Sequence, residues 1–144
     1  MSYPEPVLIF STDDLRGGIT QKRLNRSGFE VLLLSKILGA RDTIAKHAPS
    51  VVIFDTYSCF SGEINQIRNL CRTLEHTAVI VLGDPSIIDR FEGPGIRKEL
   101  CLSDPLDPEL IASKVKQVFS SKAKEKRSES DTLEADLKHF LKLD

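Results

Sequence analysis

Short apolar runs alternate with stretches of helical spacing along the chain. Val7-Leu8-Ile9-Phe10 is apolar throughout, as expected of a strand covered on both faces. Ile19 and Leu24 follow among Gln, Lys, Arg and Asn, and Ser27-Gly28 supplies a helix stop before a second run, Phe29 to Leu34. A helical stretch around Leu38 to Ala48 ends ahead of Pro49, which disfavours a helical residue before it. Val51-Val52-Ile53-Phe54 is the most strand-like run and ends in Asp55; Ile64, Ile67, Leu70, Cys71 and Leu74 then recur at helical spacing. Val79 to Leu82 predicts a fourth strand, Ser86 to Phe91 a short helix, and Leu100-Cys101-Leu102 a brief fifth strand. Asp107-Pro108 opens a last helix carrying Leu110, Ile111, Val115, Val118 and Phe119. Five strands alternating with helices predict an α/β fold, a doubly wound parallel sheet with right-handed crossovers.

The pattern changes at Ser120. Residues 120–132 hold Ala123 as their one aliphatic residue and are dense in Lys, Glu and Ser, which predicts a polar linker after a domain spanning 1–119. Residues 133–144 regain a stripe of Leu133, Leu137, Phe140 and Leu141, a short amphipathic helix able to meet a partner protein, a second copy of the chain or its own domain.

Composition narrows the function. With 20 Lys+Arg against 21 Asp+Glu in 144 residues and no Trp, neither phosphate neutralisation nor base stacking is favoured, so nucleic acid is not an expected partner. No apolar run reaches the ~20 residues of a membrane span, and Met1 to Pro6 has no basic cluster of a secretory signal. These features predict a cytoplasmic protein without membrane attachment. Cys59, Cys71 and Cys101 lack metal-ligand spacing and read as reduced thiols.

In open parallel sheets, ligands bind beyond the carboxyl ends of the strands. There the sequence places Ser11, Thr12, Asp13 and Asp14 after the first strand, Asp55 after the third, Gly83 and Asp84 after the fourth, and Ser103 and Asp104 after the fifth. Oxygen ligands of this kind suit Mg2+, with Asp13, Asp14 and Asp55 as candidates, although loop aspartates also cap helices. Ala48 to Asp55, Ser27-Gly28-Phe29-Glu30-Val31 and Pro105 together resemble the response-regulator receiver domains of two-component signalling. The resemblance implies a flavodoxin-like sheet of five strands in the order 2-1-3-4-5, with Asp55 as phospho-acceptor.

Several positions depart from that family. Ser11 and Thr12 stand where receivers place the acidic pair that holds magnesium. Gly83 replaces the hydroxyl after the fourth strand, Cys101 the aromatic switch residue, and Asp104 the lysine that pairs with the phosphoryl group. Like charges at ~4 Å repel by about 4 kcal/mol at an effective dielectric of 20, so Asp104 would oppose phosphorylation unless a cation such as Arg16 compensates.

The leading expectation is therefore a stand-alone, degenerate receiver acting by protein–protein interaction, no enzyme beyond self-phosphorylation, with partner surfaces at Ile88, Phe91 and the terminal stripe. The alternative is a working receiver phosphorylated on Asp55 by a histidine kinase, with Asp13 or Asp14 holding Mg2+. A third reading is a small nucleotide- or flavin-binding protein, for which Arg16-Gly17-Gly18 is a weak phosphate-loop signal.

Overall fold

The computed structural model describes residues 5–120; the terminal stripe and all of the expected linker except Ser120 lie outside them. Strands β1 (Val7–Phe10), β2 (Val31–Leu34), β3 (Val51–Asp55) and β4 (Ala78–Leu82) form one parallel sheet in the order β2-β1-β3-β4. Helices α1 (Asp14–Arg26), α2 (Ala40–His47), α3 (Ser61–Cys71) and α4 (Pro85–Ile88) follow the strands, and α5 occupies 108–120.

Continuous apolar strands are explained by two cores, one on each side of the sheet. Alternate residues Val7, Ile9, Val51, Ile53, Ile80 and Leu82 pack against Leu24 of α1 and Ile111, Val115 and Val118 of α5. Leu8, Phe10, Val52, Phe54, Val79 and Val81 point the other way, onto Ala40, Ile44, Ile67, Leu70 and Phe91. The period-two alternation of a strand sends successive side chains to opposite faces, so both must be apolar.

The expected fifth strand is present only as two separate bridges. Val79 pairs with Ile96 and Leu82 with Leu102, both parallel, at the edge where a fifth strand belongs. Three residues separate the partners on β4 but six separate those on the edge segment, so the surplus is taken up by a 3-10 turn at Lys98–Leu100. The turn removes the carbonyl that a regular ladder would offer Val81. Cys101 fills the gap: its Sγ accepts from the Val81 amide at 3.2 Å and donates to the Arg97 carbonyl at 3.3 Å.

Removing that sulfur leaves a buried amide unpaired. Cys101→Ala is expected to lose about 1–3 kcal/mol in urea unfolding, with faster hydrogen exchange at Val81, while Cys101→Ser keeps an acceptor and loses less. Equal stability of the native and Ala chains would contradict this account.

Candidate functional site

β3 lies inside the sheet, between β1 and β4, so the side chain that ends it is enclosed. Asp55 is 3% exposed. Its Oδ2 accepts a hydrogen bond from Ser11 Oγ at 2.9 Å. Its Oδ1 accepts from Arg16 Nη2 at 3.2 Å and from the Tyr57 amide at 3.2 Å. Burial pushes the Asp55 carboxyl above the usual carboxylate range, while Ser11, the Arg16 guanidinium and the Tyr57 amide pull it back down.

Local sequence explains why Arg16 arrives there. Asp13 caps α1, its Oδ1 accepting from the Leu15 and Arg16 amides at 3.1 Å, so the helix begins with Arg16 in its first turn. Gly17 lets that turn approach the sheet: a Cβ there would stand 2.8 Å from Leu33 Cδ1 and 3.3 Å from Ser11 Cβ. The Gly17 amide donates to the Asp13 carbonyl as a helical residue, so Arg16-Gly17-Gly18 forms a turn of α1 and no phosphate loop. Arg16 also lies over the Tyr57 ring, 5.2 Å from its centroid.

Hydroxyl groups take the place of the expected acids. Ser11 bonds Asp55, and the Thr12 amide donates to Ser58 Oγ at 3.0 Å while the Thr12 hydroxyl donates to the Ser58 carbonyl. Of the predicted metal ligands, Asp13 is a helix cap near enough to Asp55 to raise its pKa slightly, and Asp14 is an exposed first-turn residue. The structure thus brings Arg16 to Asp55 but commits Asp13 and Asp14 to the start of α1.

The altered positions are filled in complementary ways. The Thr56 hydroxyl donates to the Leu82 carbonyl at 2.7 Å and occupies the space beside Gly83, where a Cβ would fall 2.2 Å from Thr56 Oγ1. Cys101 serves the β4 edge. Asp104 is exposed and is not among the charges acting on Asp55; its amide donates to the Tyr57 hydroxyl at 2.7 Å, ahead of a cis Asp104–Pro105 peptide.

Ile88 and Phe91 are corrected as contact residues. Both belong to the core behind β4, Phe91 completely enclosed, because Ile88 at the end of α4 and Phe91 in the turn after it both pack inward. Leu133, Leu137, Phe140 and Leu141 lie outside the described residues. Cys59, Cys71 and Cys101 are free, and burial pushes the Cys59 thiol up to about 11 and Cys71 up to about 12, so both stay protonated at neutral pH. Sequence reasoning missed Ser11 as a partner of Asp55, and with it the Thr56-Tyr57-Ser58 run. Three hydroxyl residues directly behind a strand-ending aspartate were the available signal.

Above Asp55 a cavity of about 350 Å³ opens between α1 and α5, lined by Ile9, Arg16, Ile19, Leu82, Leu106 and Ile111 among others. No protein-family model matches the sequence, and no curated protein does. Solved structures do resemble it. A response regulator receiver domain protein from Clostridium thermocellum is 19% identical with a TM-score of 0.65, covering 83% of this chain and 97% of its own. A CheY-like receiver domain protein from Methanospirillum hungatei is 15% identical with a TM-score of 0.69, covering 84% and 98%. The beryllofluoride-activated NtrC4 receiver domain dimer is 15% identical with a TM-score of 0.64, covering 81% and 97%.

This chain has the receiver fold. Receiver domains with the usual acidic pair hold magnesium, but the residues present here do not fit a resident ion. A guanidinium already stands on Asp55, Asp13 is a cap, and no group of three or more His, Cys, Asp or Glu gathers among the described residues. No helix among them is long and apolar enough to cross a membrane.

Thr56 and Gly83 form a testable pair. Gly83→Ser is expected to destabilise the domain by about 1–3 kcal/mol through overpacking against Thr56. Adding Thr56→Ala should relieve it, giving a coupling above about 1 kcal/mol in a denaturation cycle. Additive effects would contradict the contact.

Proposed function

We propose that this receiver-fold domain is a signalling module that works through protein–protein contact, with phosphoryl transfer to Asp55 weak or absent. The observation carrying this reading is the ion pair that Arg16 makes with the buried Asp55. To accept a phosphoryl group, an Asp55 oxygen must attack phosphorus with a free lone pair while the donor's leaving group departs with the bonding electrons. Here Oδ1 is already shared by Arg16 and the Tyr57 amide, and Oδ2, which keeps a lone pair beside its bond from Ser11, belongs to a residue only 3% exposed. A new dianion would also have to draw the guanidinium off the acceptor, and no group of three or more His, Cys, Asp or Glu gathers among the described residues to help it. A partner-binding role needs none of those steps, and its partners are proteins such as a histidine kinase or a downstream signalling component.

A second reading rests on one feature of Arg16. Its side chain is about one-third exposed and only Nη2 is bonded to Asp55, so other N–H groups remain to pair with phosphoryl oxygens. In that case Arg16 would supply the compensation that the family's lysine supplies, and Asp55 would be a working acceptor.

Intact mass measurement after incubation with acetyl phosphate and magnesium separates the two. No phosphoryl adduct is expected on the native chain. A near-stoichiometric adduct that vanishes in Asp55→Asn would establish the second reading and overturn the first.

A further inference from the structure

The cavity above Asp55 is larger than the ion pair at its base requires. Its apolar walls are the buried Ile9, Leu82 and Ile111 together with the more exposed Ile19, Leu106 and Pro108. Gly17 lines it as well and takes up no side-chain volume. At about 350 Å³ the space falls within the range of pockets that hold small organic molecules. An apolar cavity of roughly 150 Å³ already accepts benzene, so this one has room for up to about two fused rings. Beside it, one turn beyond Ile19, Arg23 Nη2 donates to Glu109 Oε2 at 2.6 Å and links α1 to the start of α5.

Four polar residues complete the lining, and three of them are largely committed within the protein. The Thr20 hydroxyl donates to the Arg16 carbonyl at 3.1 Å. The Ser11 hydroxyl donates to Asp55 Oδ2 at 2.9 Å and accepts from the Asp13 amide at 3.2 Å. Asp55 Oδ1 takes both Arg16 and the Tyr57 amide. Arg16 differs. It bonds Asp55 through Nη2 alone, which leaves other N–H groups of the guanidinium to donate. Asp55 and the Tyr57 ring already fix that guanidinium in place, so a ligand accepting from it has little side-chain freedom to remove.

Charge selects the kind of ligand. Arg16 and Asp55 cancel one another, so an anion drawn to the guanidinium would lie beside a carboxylate, and a cation drawn to the carboxylate beside a guanidinium. Either would carry a net charge into apolar walls. A carbonyl oxygen meets the free N–H groups without that cost. We propose that this cavity binds a neutral, largely apolar small molecule that accepts a hydrogen bond from Arg16 through a carbonyl group. The inference goes beyond the signalling reading: it rests on the unmodified Arg16–Asp55 pair and not on how poorly Asp55 takes a phosphoryl group. A molecule seated there touches α1, the segment before α5 and α5 itself, so its presence would be felt on the surface those helices form.

Methyl and amide NMR spectra of the full chain, titrated with acetylnaphthalene, test the site. Saturable shifts are expected at Ile9, Ile19, Leu106 and Ile111. Naphthoate and naphthylmethylammonium, which match the probe in size but carry a charge, should bind at least about tenfold more weakly. Leu106→Trp fills the cavity from a partly exposed position and should abolish the saturable shifts while the remaining amides keep their places. Absence of saturable shifts with acetylnaphthalene would overturn the proposal. Binding of either charged probe as tight as the neutral one, or binding unchanged in Leu106→Trp, would overturn it too. No phosphodonor is present, so failure here is read separately from any adduct formed with acetyl phosphate.

Discussion

A carboxylate enclosed at the end of an interior strand has to be answered from within the protein. Removing an ionised group from water costs several kcal/mol unless it is paired and hydrogen-bonded. Asp55 is in that position, and Arg16 with Ser11 gives the answer. Each supporting feature can be traced to a residue choice. Asp13 starts α1 one residue before its first helical position, which brings Arg16 into the first turn. Gly17 allows that turn to lie against Ser11 and Leu33 without a colliding Cβ. Thr12 and Ser58 then bind the loop after β1 to the loop after β3, and both loops frame the same carboxylate.

Thr56, Tyr57 and Cys101 tie the loops around the site and the sheet edge to one another. Thr56 fills the space that Gly83 leaves open, and Cys101 closes the backbone gap made by the edge turn. Tyr57 links the two sides of the site, stacking under Arg16 and accepting from the Asp104 amide.

Much of the fold was legible because buried parallel strands write themselves as uninterrupted apolar runs, and all four appear at the expected places. The edge was less legible. Leu100-Cys101-Leu102 has strand composition, but register depends on the count of residues between bridges, and the surplus before Leu102 became a 3-10 turn. Asp55 was readable from its place after four β-formers, and Arg16 from its nearness to the first loop. The roles of Asp13 and Ser11 were not. Whether a loop aspartate caps a helix or faces a site depends on a shift of one residue, which sequence spacing does not resolve. Ile88 and Phe91 illustrate the same limit, since whether the apolar residues at the end of a four-residue helix and just beyond it face the core is decided by packing.

The central claim is that a guanidinium, and no metal ion, balances the charge of Asp55. Following the Asp55 carboxyl carbon and the Asp13 amide by NMR while magnesium is added tests it most directly. The account predicts resonances that stay in place apart from a small, non-saturating drift shared with other surface amides. A saturable shift at both positions, abolished by Asp55→Asn, would contradict it.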